Sequence, residues 1–386
     1  MKMYDKKTII ESLVVGRGLT NNTFEQGKKH PYKMPQFKIK NDASTDTVIN
    51  ALHEVIEKET KHANKIGLLL SGGKDSRVLA GLAKNLGIEI ECLTYRGNEN
   101  EIKAAQNVAK ALNYNCKIID VPIEHFFNKS HIENALDLTQ GNPHFFNFVY
   151  FFGFKDQLDY DIIFSGEVMT EFMDAGEYRW YEGKPKEGLL QKELYLPLVK
   201  EPYYSEAIDS LHQIWEKQDL NTFIIERKRD RIIYLNKLKH LINLCAPAMD
   251  GAVLSEVLSL PLNQRSGSKL TREILKKTSP EIFKLPTGRS PLSLRYPLWI
   301  HQAYQRVFKQ GTQLDYWRQG LLDLNTKEYE NINLDFLDFD QMNEYISGNK
   351  GKSEQIQSLI RLENLRQWLN YKTDMHTNEN TQEIMV

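Results

Sequence analysis

The chain has 386 residues, 41% of them hydrophobic and 26% charged, with a formal net charge of -1. That length exceeds one ordinary core and implies two domains, or one large α/β unit with additions. The balanced charge argues against a bulk nucleic-acid binder. No apolar run is long enough to span a bilayer, and residues 1–7 lead into no long apolar stretch that would make a signal peptide, so a cytoplasmic protein is expected.

Taken in chain order, the first forty residues are polar and read as an irregular arm. Residues 45–61 place Val48, Ile49, Leu52, Val55 and Ile56 at helical spacing. Residues 66–70 form a short apolar run, the pattern of a buried parallel strand. A Gly-rich turn follows at 71–73. Residues 75–85 then read as a helix with Val78, Leu79, Leu82 and Leu86 on one face, ended by Gly87. A second strand is expected over 88–95, a helix over 100–112, a third strand over 116–121, helical segments across 131–159, and a fourth strand over 160–164. Alternation of strands and helices at this spacing predicts a doubly wound parallel α/β sheet. Beyond about residue 186 the apolar spacing is helical over 205–215, 220–244, 253–258, 269–278, 299–308 and 354–369. The expected division is an arm and lead-in helix (1–60), an α/β core (61–185), a mainly helical substrate-side region (186–372) and a flexible tail (373–386).

Cys92, Cys116 and Cys245 are scattered and form no C-x-x-C pair, so neither a disulfide framework nor a zinc site is expected. They read as small buried hydrophobes. His125, His131 and His144 fall near the ligand-binding side of such a sheet, but make no metal-ligand spacing.

The chemistry concentrates in Ser71-Gly72-Gly73-Lys74-Asp75-Ser76. Glycines let backbone N–H groups approach an anion closely, and the following helix points its N-terminus at the same place. Ser71 and Ser76 add hydroxyls and Lys74 a positive charge. Asp75 is unfavourable beside bare phosphate and suggests Mg2+. The spacing is not that of the G-x-x-x-x-G-K-[ST] loop.

This string resembles the S-G-G-x-D-S loop of the PP-loop ATP pyrophosphatases, which split ATP between its α and β phosphates and leave AMP on a substrate oxygen. More of the chain resembles the synthetase domain of asparagine synthetases and their relatives, β-lactam synthetases included. Residues 100–110 look like that domain's second helix, and Ser165-Gly166-Glu167-Val168-Met169-Thr170-Glu171 resembles its S-G-E-G-x-D-E segment. Pro247-Ala248-Met249-Asp250 with Leu258-Ser259-Leu260-Pro261 resembles its P-F-L-D…LP segment. The resemblance runs in order over roughly residues 45–290. It implies a nucleotide site lined by Leu70, Thr94, Ser165 and Gly166 together with the loop. It also implies Asp75 on magnesium, Glu167 beside the activated carboxylate as orienter or base for an incoming amine, and Lys269 stabilising phosphate charge. Glu101 matches an acidic position, or simply favours its helix N-terminus.

Two departures stand out. The family's second glycine is Val168 and its aspartate is Thr170, so either Glu171 or Asp174 takes over as metal ligand, or metal binding is weaker, or activity is lost. Arg289 either substitutes for a family lysine or is a solvated surface arginine. No cysteine precedes Cys92, and Lys2 stands where glutamine-dependent members carry their glutaminase cysteine. The nucleophile is therefore expected to be free ammonia, a substrate amine, or ammonia passed from a separate protein. The implied activity is an AMP-forming amide ligase that uses ATP and Mg2+ on a small-molecule carboxylate. Neither a membrane nor nucleic acid is expected as partner, and the oligomeric state is left open. Two alternatives remain: a PP-loop enzyme acting on RNA, and a degenerate nucleotide-binding partner subunit.

Overall fold

A computed structural model of the protein describes residues 4–15, 18–19, 23–28, 33–120, 128–139, 151–173, 198–288, 290–307, 334–340, 361–363 and 365–372. His125, His144, Asp174, Arg289, residues 354–360 and the tail from residue 373 lie outside them.

The arm departs first from expectation. It contains a helix, α1 (Lys6–Val15), whose Ile9, Leu13 and Val14 are buried. The polar residues around it hide this short apolar run, which gains its order by packing on a distant helix (α7, below). Next comes α2 (Thr45–Thr60), opened by a reciprocal cap between Ser44 and Thr47. Its predicted apolar face is buried as read.

The α/β unit follows: β1 (Ile66–Leu69), α3 (Lys74–Asn85), β2 (Glu91–Tyr95), α4 (Glu99–Ala111), β3 (Asn115–Ile119), α5 (Lys129–Thr139), β4 (Ile162–Ser165) and the single-turn α6 (Met169–Met173). The second half supplies α7 (Tyr203–Glu216), α8 (Leu220–Glu226), α9 (Arg229–Ile242), β5 (Leu244–Cys245), α10 (Gly251–Ser259), α11 (Lys269–Thr278), a small hairpin of β6 (Pro286–Thr287) and β7 (Ser290–Ser293), and α12 (Leu298–Val307).

The main sheet has the order β3-β2-β1-β4-β5 and every pairing is parallel. This is the doubly wound α/β architecture expected from the strand-helix alternation. Two features of the second half were not legible. The periodic run at 220–244 divides into α8 and α9 at Arg227 and Lys228, and its last residue, Leu244, begins the fifth strand. Asn243, at φ 50° in the left-handed region, ends α9 and turns the chain into β5. A two-residue strand beside a helix has no alternation to betray it. One cluster of buried side chains joins Ile9 of α1, the sheet and Trp368.

Candidate active site

In an open parallel sheet, ligands bind beyond the carboxyl ends of the strands, where the strand order reverses. Here that point lies between β1 and β4, and both sequence motifs sit there. A cavity of about 510 Å³ opens at this place, within the range of small-molecule sites. Leu70, Ser71, Asp75 and Ser76 line it from the first loop, and Ser165, Gly166 and Glu167 from the second. Thr94 and Tyr95 close the β2 side, while Arg231 and Tyr234 of α9 form the opposite wall.

The glycines are there for close approach. Gly72 has φ +64°, and a Cβ on it would stand 2.7 Å from the Ala104 Cβ and 3.0 Å from the Glu101 carbonyl oxygen. A Cβ on Gly166 would stand 2.8 Å from the Ser76 nitrogen. The end of β4 is thus pressed against the start of α3. The N-cap of α3 is Gly73, which makes no side-chain cap bond, so this end of the helix suits an anion.

Arg77, which sequence reasoning missed, fixes the loop from beneath. It is fully buried. Its guanidinium donates to the carbonyls of Gly72 at 2.9 Å, Leu285 at 3.0 Å and Ile282 at 3.1 Å, and also to that of Pro286. Because C=O and N–H point opposite ways in a trans peptide, drawing the Gly72 carbonyl down turns the next N–H up, away from Arg77. Burial lowers the guanidinium pKa to about 10, so it stays charged at neutral pH.

At the mouth of the loop, the Lys74 ammonium donates to Asp75 Oδ1 at 2.8 Å and to Thr170 Oγ1 at 2.8 Å. The Thr170 hydroxyl donates to Asp75 Oδ2. Further along the cavity, Arg231 Nε lies 3.3 Å from Glu167 Oε2, and Lys228 Nζ lies 3.3 Å from Glu171 Oε1. Burial alone would raise the Glu171 carboxyl. The Lys228 and Arg231 charges outweigh it and hold that carboxyl below the ordinary range. Burial likewise opposes the Arg231 charge, but Glu167 reverses the balance and raises the guanidinium pKa. Arg231 lies over the Tyr234 ring at 5.3 Å. Phe151 packs on Tyr234 at 5.8 Å between ring centroids, and Phe154 links Phe151 at 4.9 Å to Tyr95 at 5.0 Å.

Residues 65–145 match the family model of the queuosine biosynthesis protein QueC. That match supports a PP-loop ATP pyrophosphatase core. Members of this superfamily use ATP and typically Mg2+. Among solved structures, the NMN synthetase from Francisella tularensis is 15% identical, over 52% of this chain and 91% of that one, with a TM-score of 0.23, a value that carries no argument. No curated protein matches the chain.

Of the residues expected to serve the PP-loop core, Leu70, Ser71, Asp75, Ser76, Thr94, Ser165, Gly166, Glu167 and Glu171 are brought to one cavity, which Glu101 also lines. Gly72, Gly73 and Lys74 shape the loop without lining that cavity. Lys269 is elsewhere: it opens α11, donates to the Asn263 carbonyl at 2.8 Å and borders a different cavity with Arg272, Lys276 and Lys277. The ammonium beside Asp75 is that of Lys74, supplied from the loop rather than from α11. The residues fit a nucleotide, through the glycine-built cradle and the glycine N-cap of α3. They do not fit a divalent ion held by Asp75 and Glu171. Both Asp75 oxygens already have partners in Lys74 and Thr170, Glu171 is engaged by Lys228, and no group of three His, Cys, Asp or Glu among the described residues is placed to hold a metal.

Val168, in the place of the family's second glycine, is buried and has φ 58°. The left-handed region costs a non-glycine residue about 1–2 kcal/mol, while burying a valine side chain returns about 1.5–3 kcal/mol. Val168→Gly is therefore expected to leave unfolding free energy within about 1 kcal/mol of the parent in urea titrations. A loss of about 3 kcal/mol or more would show that the valine conformation carries no strain.

Proposed function

We propose that this protein is an ATP-dependent, AMP-forming carbon–nitrogen ligase: it adenylylates a small-molecule carboxylate with release of pyrophosphate, and ammonia or an amine then displaces AMP. The observation that carries this reading is the joining of two half-sites in one cavity. An anion cradle at Ser71–Ser76 lies at one end, and a carboxylate with its own cation, Glu167 and Arg231, lies beyond it. Bound ATP supplies an activated phosphorus and a stable leaving group. The chain's residues do the rest. The loop N–H groups and the Ser71 and Ser76 hydroxyls hold the pyrophosphate end, Ser165 and Thr94 hold the nucleotide, and Arg231 orients the acceptor. Glu167, once an acceptor engages Arg231, takes a proton from the incoming amine.

Glu167→Gln removes the base and leaves the cradle untouched. In single-turnover measurements it is expected to slow amide formation by about 10²-fold or more while AMP formation changes by less than about tenfold. Amide formation at the parent rate would remove Glu167 from this role.

The reading as a whole is tested by titrating the protein with ATP in a calorimeter, then assaying carboxylates with ammonia. Pyrophosphate and AMP released in equal amounts support it. ADP and phosphate as products reject it in favour of cleavage at the γ-phosphate, and no nucleotide binding by folded protein rejects it in favour of a partner subunit without catalysis.

One observation favours action on RNA as a second reading. α11 presents Lys269, Arg272 and Lys276 to a surface cavity of about 1050 Å³, where Lys277 is already paired with Asp46 and Glu273, and the three other cations suit a phosphate backbone. Thiolation is the less suited chemistry. Burial pushes the thiols of Cys92 and Cys245 up to about 12 and that of Cys116 to about 11, and none lines the active cavity. RNA binding that weakens steeply with salt is the result that would favour this reading.

A further inference from the structure

Two departures noted separately in the sequence meet in space. Lysine fills the variable position of the loop, and threonine replaces an aspartate 96 residues later. The structure puts their functional atoms 2.8 Å apart, with Asp75 completing a triangle. Two facing carboxylates at positions 75 and 170 would carry two negative charges and call for a divalent ion. Asp75 with a neutral Thr170 carries one, and the Lys74 ammonium carries the one positive charge that balances it.

The hydrogen bonds are consistent with that balance. The Thr170 hydroxyl spends its proton on Asp75 Oδ2 and accepts from Lys74, so its oxygen serves the lysine and the carboxylate together. Lys74 and Asp75 are adjacent in the first turn of α3, and their side chains are only 18% and 23% exposed. A tethered cation competes at high effective concentration against an ion from solution. A magnesium ion needs near-octahedral oxygen ligands, which this triangle does not offer.

We propose that the Lys74 ammonium is the resident cation of this loop. It occupies the position between Asp75 and residue 170 and excludes a divalent ion from it. The occupancy follows from the geometry alone. The consequence for function rests on the nucleotide-site reading above: ATP would be held without a metal bridged by the protein at this place, and any magnesium would arrive on the phosphates themselves.

The test uses Mn2+ as probe, followed by electron paramagnetic resonance, on nucleotide-free protein. Wild type is expected to bind no Mn2+ tightly, and Thr170→Asp to gain little, because its new carboxylate pairs with the ammonium. The double variant Lys74→Met with Thr170→Asp is expected to gain a site at least about tenfold tighter than either. Circular dichroism and thermal melting establish that each variant is folded. Tight Mn2+ binding by wild type that is lost in Asp75→Asn overturns the proposal, as does an equal gain in Thr170→Asp and the double variant. No gain in a folded double variant overturns it too.

A second arm reads ATP affinity with Mg2+ and with a chelator. Wild type is expected to change by less than about threefold, and Lys74→Met to lose about tenfold or more on metal removal. Equal metal dependence in both overturns the proposal. No ATP binding under any condition rejects the nucleotide reading alone, since the Mn2+ arm reads the cation position without nucleotide.

Discussion

Asp75→Ala is expected to reduce AMP formation by about 10²–10³-fold, the cost of removing one preorganised electrostatic contact at a reacting centre, about 2.7–4 kcal/mol. The carboxylate anchors the Lys74 ammonium through Oδ1 and the Thr170 hydroxyl through Oδ2. Removing it frees both groups at once and leaves the loop more positive by one charge. ATP affinity is therefore expected to move by less than about tenfold even as turnover collapses. Asp75→Asn separates the two contributions. It keeps the shape and one acceptor but not the charge, so it is expected to lose most of the rate as well. AMP released from ATP in the presence of an accepted carboxylate gives turnover, and calorimetry gives affinity. Turnover within about tenfold of the parent in Asp75→Ala would place the reacting centre elsewhere.

Arg77→Met is expected to destabilise the fold by about 3–5 kcal/mol. The guanidinium is fully buried, and the partners shown for it are four carbonyl oxygens, of Gly72, Ile282, Leu285 and Pro286. Methionine fills much of the volume and serves none of them, and each buried carbonyl left without a donor costs about 1–3 kcal/mol. Some of that loss is offset because a desolvated charge disappears with the side chain. Arg77→Lys is expected to recover only part, since one ammonium on a flexible stem cannot span carbonyls from two segments. Urea titration measures the stability. ATP affinity should fall with it, because Arg77 holds the Gly72 peptide and so the direction of the next N–H. A change below about 1 kcal/mol in Arg77→Met would show that the loop and the segment at 282–286 do not depend on this bridge.

These two substitutions separate what the loop does from what holds it. Asp75 is partly exposed at the cavity, and its loss is read in rate. Arg77 lies behind the loop, and its loss is read first in stability. The second half-site behaves differently again. Glu167 and Glu171 are each matched to a cation on or beside α9, so this end of the cavity is electrically balanced.

The sequence by itself determined the α/β core and the position of the loop. Both rest on local signals: apolar runs of strand length, helical spacing after them, and a glycine turn at the junction of β1 and α3. The second motif, Ser165–Glu171, was also legible, because it closes β4 as the first closes β1. Only the tertiary structure decided the rest. Arg77 is a lone cation beside an apolar helix face, and nothing local shows that carbonyls 205 to 209 residues away need it. Lys74 and Thr170 read separately as a variable position and a lost ligand, and become one charge-balanced cluster only when β4 packs beside β1. Resemblance to a family segment puts Lys269 at the phosphates, but the start of α11 leaves it at another cavity. Arg231 and Tyr234 lie three residues apart in a helix whose spacing fixes their common face but not what that face meets. The physical reason is common to all four. Periodicity encodes which side of an element is buried, while the partner across the interface is set by how the parallel sheet brings distant segments together.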